Sequence, residues 1–334
     1  SMKRGERISR EMFPTLKDEL DEGMRTELLI KRVWERLDSD VAEVIWLCAI
    51  PRWFDAGGIR ALKGLEDGSH ELLDRIAEYR SFVKPRSPSG YEYHQIVREL
   101  LLDKWQRDDP DKYIELNERA AEYHEQKLAK ERSYIEDWQR LSLERVYHRF
   151  RVGNEDEAIR LFSDLFENAD LSARLDLCSA LLREAKAQSL RAESELWIKL
   201  WEGRFSYRSG NWDLAEAIYQ EMFRDTSLPL YPRLRSYVAD GLGRVYATGG
   251  PPHMMVEMYE LGLALKQEFG SRLEQGRAMN KLARTYLGLG RYEEAEQYFA
   301  ESLAIFREEH QNHDIARVLT SIRTRSMVAS LIPA

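Results

Sequence analysis

Apolar residues recur three and four residues apart through most of the chain, which is the spacing of amphipathic helices. Residues 8–37 have this spacing and predict a helical region with a break near Gly23. Residues 38–40 (Asp-Ser-Asp) give an N-cap signal for a helix over 41–50, which Pro51 ends. Two further short helices are predicted over 56–65 and 70–79.

The pattern changes after residue 80. Residues 81–85 and 91–94 are short strand-like runs, and the Arg-Ser-Pro-Ser-Gly stretch between them is rich in turn formers, so a β-hairpin is predicted. A helix over 95–107 follows. Three helices followed by a hairpin is the order of a winged-helix domain, predicted here over 38–109. A small α+β cap without winged-helix ancestry is the alternative. Residues 3–37 would then be a helical linker region.

A 40-residue period organises the helices that are predicted from residue 110 to the end. The order of a small residue, a glycine and an aromatic residue in each period is that of tetratricopeptide repeats. In these repeats the small residue of the first helix lets the second helix approach closely. The recurring columns are Gly203, Gly243 and Ala283, then Gly210, Gly250 and Gly290, then Tyr219, Tyr259 and Phe299.

These columns predict an α–α superhelix of tetratricopeptide-type repeats over 110–334, with the best copies at 196–222, 236–262 and 276–306. The fold class is therefore mainly α, with a small α+β domain in front. A weaker copy with Ala158 and Phe162 precedes them, and an extra helix over about 171–186 is expected between. We also expect Trp201 and Trp212 to lie in the core.

Composition narrows the class of protein. The 334 residues carry a net charge of −8, which argues against a dedicated nucleic-acid binder. The longest apolar run, 44–50, is too short to span a bilayer. Cys48 and Cys178 belong to no CxxC motif, so we expect a reducing cytoplasm and no disulfide scaffold or zinc site. Ser1 and Met2 resemble an expression remnant, which leaves the native start open.

No catalytic motif stands out in the sequence. The seven histidines are scattered, and GxSxG, HExxH and GxGxxG motifs are absent. The carboxylates alternate with Lys and Arg, which is typical of solvated helix faces. The chain is therefore predicted to be no enzyme and to hold neither a metal nor a cofactor of its own.

Arginine follows the small column in all three copies, as Arg204, Arg244 and Arg284. Because successive first helices stack side by side, these guanidinium groups would form a ladder on the concave face that binds a protein or an acidic ligand. The alternative is that each arginine pairs with a carboxylate of the adjacent helix. Further candidate contacts on this face are Arg208, Arg277, Asn280, Asp240, Tyr207 and Tyr237.

Residues 38–125 resemble the winged-helix region of the STAND signal-transducing ATPases. The resemblance rests on residues 44–54 (VIWLCAIPRWF), 72–76 (LLDRI), 81–83 (SFV) and 91–99 (YEYHQIVRE). In that family the last stretch usually has Asp where Gln95 stands here, and a repeat array often follows. The resemblance implies a non-catalytic regulatory and sensor segment. Its winged helix would pack autoinhibitorily on an upstream NTPase domain in cis, and its repeats would recognise a ligand or protein.

By the same resemblance His94 would contact a nucleotide phosphate in the closed, ADP-bound state. Any ATP or ADP would be held by the upstream domain, because this chain has no GxxxxGK[ST] loop. The alternative is a strand-end histidine without a ligand. A free-standing repeat scaffold and a winged-helix transcription regulator with a repeat sensor also stay open, although acidic residues alternate with the basic ones around the hairpin and disfavour DNA. Bacterial signalling or defence fits the resemblance.

Overall fold

The computed structural model describes residues 37–80, 82–86, 90–130 and 135–331. It divides into two compact units, Ser1–Leu165 and Phe166–Ala334. The predicted linker region, residues 3–37, lies almost wholly outside the described residues. Among the described residues, none of the helices combines the length and the apolar character that crossing a membrane requires.

The first unit begins with three helices, a hairpin and a fourth helix, as the sequence predicts. The order is α1 (Ser39–Cys48), α2 (Ala56–Lys63), α3 (Ser69–Ala77), β1 (Val83–Pro85), β2 (Tyr91–Tyr93) and α4 (Gln95–Asp108). The strands are antiparallel with Val83 opposite Tyr93, and a separate bridge joins Phe54 to Tyr91. The Tyr93 hydroxyl donates to the carbonyl of Ile45 at 2.8 Å, which ties the hairpin to α1.

Helices α5 (Pro110–Lys130) and α6 (Ile135–Arg149) follow and also belong to the first unit. Asp55 caps α2 by accepting from the backbone N–H of Gly58, and it also accepts from the Tyr123 hydroxyl and the Lys127 ammonium of α5, each at 2.7 Å. Leu116 of α5 is fully buried against the same region. The compact division thus falls at 165/166, and α5 packs on the winged-helix residues of the first unit. The domain boundary at 109/110 stays a prediction.

The described helices that follow are α7 (Glu155–Leu171), α8 (Leu175–Lys186), α9 (Ala192–Arg208), α10 (Trp212–Arg224), α11 (Pro232–Tyr246), α12 (Pro252–Phe269), α13 (Arg272–Gly288), α14 (Tyr292–Glu308) and α15 (Asn312–Leu331). Three helical pairs, α9 with α10, α11 with α12 and α13 with α14, contain the predicted repeat copies. Helix α8 is the extra helix that the sequence spacing requires.

The small and aromatic columns meet as predicted. A Cβ atom at Gly243 of α11 would come within 2.5 Å of the Tyr259 ring on α12, so only a small residue admits the aromatic side chain there. Gly210 and Gly290 have φ of +82° and +73° in the turns between paired helices. Phe299 is 2% exposed in the third pair.

Trp201 and Trp212 differ in their burial. Trp201 is 7% exposed and packs against Phe166, as expected. The expectation for Trp212 is wrong, since it is the first residue of α10 and is 49% exposed. Its position at the helix start takes it away from the face that contacts α9.

Candidate functional site

Two of the predicted ligand-binding arginines hold a buried carboxylate. Nε of Arg204 and Nε of Arg208 each lie 2.8 Å from a carboxylate oxygen of Asp170, which is 4% exposed. Arg208 also donates to the Asp170 carbonyl at 2.9 Å. These two arginines follow the alternative interpretation, in which the guanidinium groups join neighbouring helices.

Arg277 repeats this arrangement at the end of the array. Its Nε lies 3.2 Å from Asp314, and Arg317 donates to the other oxygen of the same carboxylate at 2.5 Å. Asp314 is 3% exposed. Arg277 therefore joins α13 to α15 through its Nε, while its side chain is 53% exposed, and a ligand contact at Arg277 stays a prediction.

Arg244 and Arg284 lie elsewhere, in the wall of a cavity of ≈ 530 Å³ formed by α11, α12 and α13. Among the described residues, no carboxylate is ion-paired or hydrogen-bonded with either guanidinium group. Cζ of Arg244 lies 5.9 Å from the centre of the Tyr207 ring. This contact with the ring face does not occupy the N–H donors of the guanidinium group. The cavity is completed by residues that include Met255, Tyr259, Thr285 and Leu289.

Lys281 adds a third cation to the cavity wall, one helical turn before Arg284. Its ammonium lies 5.2 Å from the centre of the Tyr259 ring, and its side chain is 30% exposed. Lys281 is not among the contacts predicted from the sequence, although its spacing from Arg284 places both on one face of α13. Three cations on one wall favour an anionic group as the occupant.

A buried charge network lies beneath this wall. The Asp240 carboxylate accepts from Lys266 at 2.9 Å and ion-pairs with Lys281 at 2.8 Å. Burial alone would raise the pKa of Asp240, but the two lysines outweigh it and hold the pKa well below its ordinary value. Asp240 is thus a buried counter-ion for the two lysines. A ligand contact at Asp240 stays a prediction.

The remaining predicted contacts of the repeats are also internal. Asn280 is 3% exposed. The Tyr237 hydroxyl donates to Glu274, whose carboxylate also accepts from the Ser271 backbone in a capping box at the start of α13. Tyr207 is half-buried beneath Arg244. Of the predicted contacts, Arg244 and Arg284 line the cavity, with Tyr207 beneath Arg244, and Lys281 joins them there.

His94 precedes α4 as its N-cap residue. Its Nε2 lies 3.3 Å from the Arg80 carbonyl, and its backbone N–H donates to the Phe82 carbonyl at 2.9 Å. The imidazole is half-buried at the end of the hairpin. A phosphate-contacting role for His94 stays a prediction.

The basic residues around the hairpin are engaged within the protein. Arg98 donates to the carbonyls of Ile50 and Pro51, and Arg75 pairs with Asp38 and Asp40. The other pairs are Lys104 with Asp108, Arg107 with Asp103, and both Lys84 and Arg86 with Glu92. Among the described residues, these cations are thus paired within the protein, which disfavours a phosphate-binding role for them.

A cluster of two histidines and a glutamate was not predicted from the sequence. His124, Glu144 and His148 have ligand atoms within 4.8 Å of one another between α5 and α6, although the two histidines are far apart in the sequence. Glu144 and His148 are four residues apart on one helix, a spacing that places them on one face. The contribution of His124 depends on how α5 pairs with α6, for which the sequence carries no signal.

Comparison with known proteins identifies the two regions. Residues 30–113 match the family model of the MalT winged helix domain, and residues 234–308 match that of the tetratricopeptide repeat. No curated protein matches the chain. The predicted winged-helix domain followed by tetratricopeptide repeats is therefore confirmed.

Two solved structures are similar to the chain. One is a Signal Transduction ATPase with Numerous Domains (STAND) protein with a tetratricopeptide repeat sensor from Pyrococcus horikoshii, 12% identical, covering 94% of this chain with a TM-score of 0.47. The chain spans about half of that protein, 51% of its length. The other is aspartyl phosphate phosphatase F from Bacillus subtilis, 12% identical, covering 85% of this chain and 79% of the other with a TM-score of 0.49.

Proposed function

We propose that this chain is the non-catalytic control and sensor segment of a STAND-type signalling ATPase. The order of a MalT-type winged helix and tetratricopeptide repeats supports this, since both kinds of domain are typically non-catalytic. The winged helix would pack on an NTPase domain supplied in cis, and the repeats would bind a ligand or protein. Such a ligand switches the ATPase only if it binds the closed and open states with different affinity.

We place the ligand site at the cavity between α11, α12 and α13. The observation that carries this is the pair Arg244 and Arg284, which line the cavity without a carboxylate partner among the described residues. Guanidinium groups bind carboxylates and phosphates through paired N–H donors. The proposed occupant therefore presents at least one carboxylate or phosphate group, as an acidic peptide or a small anionic ligand does.

Removal of both arginines tests this site. A tetraglutamate peptide and pyrophosphate serve as probes, with binding measured by calorimetry at low salt. We expect the Arg244→Gln/Arg284→Gln variant to bind the better probe at least ~10-fold more weakly, since charge-assisted hydrogen bonds contribute about 1.5–3 kcal/mol each. Its melting temperature should change by less than about 2 °C, because neither arginine has a carboxylate partner to lose among the described residues, and the contact of Arg244 with the Tyr207 ring is a long one.

The matched control removes the same charge from exposed positions. Arg272→Gln/Arg307→Gln should bind the probes as the wild type does, apart from long-range screening effects. Equal weakening in the two double variants, or absence of probe binding by the wild type, would contradict the ligand site. A large fall in melting temperature for Arg244→Gln/Arg284→Gln would instead assign the two arginines a structural role.

The affinity for an anion should also depend on pH. Burial lowers the pKa of Lys281 to about 8, with Arg244 and Lys266 acting in the same direction and Asp240 opposing them. Lys281 loses its charge as the pH rises through this value, so affinity for tetraglutamate should fall several-fold between pH 7 and pH 9. The carboxylates of this probe stay ionised over the range. Lys281→Met should bind more weakly at pH 7 and lose this dependence; an unchanged pH profile in that variant would exclude Lys281 as the cause.

A further inference from the structure

Three buried side chains with metal-ligating atoms meet between α5 and α6. His124 lies on α5, and Glu144 and His148 are one turn apart on α6. They are 1%, 3% and 0% exposed, and one ligand atom from each lies within 4.8 Å of the other two. The rings of His124 and His148 are stacked, with centroids 5.6 Å apart and planes at 12°. Two imidazoles and a carboxylate thus converge in a place that water does not reach freely.

Most polar atoms of this cluster make no hydrogen bond. Among the described residues, both ring nitrogens of His124, Oε2 of Glu144 and Nε2 of His148 are buried without a partner. Each such atom costs about 1–3 kcal/mol when it is left unsatisfied, so buried polar atoms in folded proteins are nearly always paired. A shared partner that accepts one lone pair from each side chain would satisfy three of these four atoms, since a neutral His124 ring offers one lone pair and one N–H group.

Asn117 fixes the orientation of the His148 ring through the nitrogen that faces away from Glu144. Asn117 donates through Nδ2 to the Tyr113 carbonyl at 2.8 Å, which directs its Oδ1 at His148. Nδ1 of His148 lies 2.9 Å from that oxygen and donates to it. The proton therefore lies on Nδ1, and Nε2 presents its lone pair towards Oε2 of Glu144 at 3.9 Å. Metal-binding histidines are held in this way by an acceptor behind the ring.

Burial favours the neutral form of both imidazoles. Burial lowers the pKa of His124 to about 4 and lowers the pKa of His148 in the same direction. Neutral imidazole is the form that binds a metal. Arg52 donates to Oε1 of Glu144 at 2.8 Å, which leaves Oε2 for another partner but also places a positive charge nearby. A cation bound here would be held less tightly than in a site without that arginine.

We propose that His124, Glu144 and His148 form a site for a divalent transition metal, with zinc as the ion that best fits the donor set. Two imidazole nitrogens and one carboxylate oxygen are a set of three protein ligands known for zinc, which completes its shell with water. With bonds of about 2.0–2.2 Å, neighbouring donors around tetrahedral zinc lie about 3.4 Å apart. The 3.9 Å between Glu144 and His148 is close to this spacing. A bound ion would join α5 to α6.

Metal retention by the full chain tests the site. The protein is treated with EDTA, dialysed against micromolar Zn²⁺ and analysed for metal by mass spectrometry. We expect about one zinc per chain, and a Co²⁺-substituted sample with the intense visible bands of four-coordinate cobalt. His124→Gln and the nearly isosteric Glu144→Gln should each retain at least ~10-fold less zinc, because each removes one of three protein ligands.

The exposed pair His310 and His313 supplies the control. His310→Gln/His313→Gln should retain zinc as the wild type does, which separates the buried cluster from adventitious surface binding. If the wild type retains no zinc, if the cluster variants retain it equally, or if Co²⁺ gives only the weak spectrum of the aqua ion, the site is excluded. The wild-type cobalt spectrum decides the question even where a cluster variant fails to fold.

Discussion

Replacing Asp240 by asparagine is expected to destabilise the repeats by about 3–5 kcal/mol, the cost of leaving a buried charge without its partner. Asp240 is the carboxylate that Lys266 and Lys281 both contact, and Lys266 is only 5% exposed. In the variant Lys266 must either keep its charge without compensation or give up its proton. Urea unfolding followed by circular dichroism measures the loss.

The acid limb of the stability curve gives a second measurement on Asp240. Because the folded-state pKa of Asp240 lies below its ordinary value of 3.8, its contribution is complete above that value. The contribution is lost as the pH falls further, since the folded state then takes up the proton. Asp240→Asn should therefore flatten the decline of stability at acid pH. The same substitution type at exposed Glu257, Glu257→Gln, should change stability by less than about 0.5 kcal/mol.

A double variant separates the loss of the ion pair from the loss of packing. Asp240→Leu/Lys266→Met removes both buried charges, and buried pairs replaced by apolar residues of similar size are often neutral in stability. Lys281 is 30% exposed and can turn its ammonium to solvent. The double variant should recover most of the loss. If Asp240→Asn costs less than about 1 kcal/mol, the network does not depend on this carboxylate.

The repeat fold could be predicted from the sequence because its packing rule is local and periodic. Gly243 lies against Tyr259, and the same pair of positions recurs as Ala283 with Phe299 one period later. A contact of this kind constrains the residue type at both positions, so it leaves a trace every 40 residues. The sequence signal for the winged helix is weaker, because it consists only of the order of the predicted elements and the turn-forming residues of the hairpin.

The binding face could be predicted only in part, because identical arginines have different neighbours. Arg204 meets Asp170, which stands 34 residues before it. At that distance before Arg244 and Arg284 the sequence has Gly210 and Gly250, neither of which offers a carboxylate. The arginine column is thus periodic, but its counter-ions are not. This difference separates an arginine that joins helices from one that faces a cavity.

The histidine cluster and the burial of Asp240 could not be predicted for a different reason. His124 and His148 are joined by the pairing of two helices outside the repeat register, and nothing in their spacing fixes how those helices align. Asp240 resembled a surface residue because charged residues are rarely fully buried. Only the positions of Lys266 and Lys281 in neighbouring helices explain its burial.

Truncating Phe299 to alanine should destabilise the repeats by about 3–5 kcal/mol, the range for large-to-small changes of a buried phenylalanine. Phe299 is 2% exposed and lies in one cluster with Ala283, Tyr286 and Phe306. At about 2–4 °C per kcal/mol for a domain of this size, the melting temperature should fall by at least about 6 °C. Thermal unfolding monitored by circular dichroism measures the change.

Trp212 provides the matched control, since it is also an aromatic residue of a second repeat helix and the sequence predicted it to be buried. It is 49% exposed, so Trp212→Ala removes little apolar area from the interior and should cost less than about 1 kcal/mol. A loss comparable to that of Phe299→Ala would mean that Trp212 packs in the core after all, and that the start of α10 lies closer to α9. A small loss for Phe299→Ala would instead contradict the aromatic column as the element that holds the third repeat together.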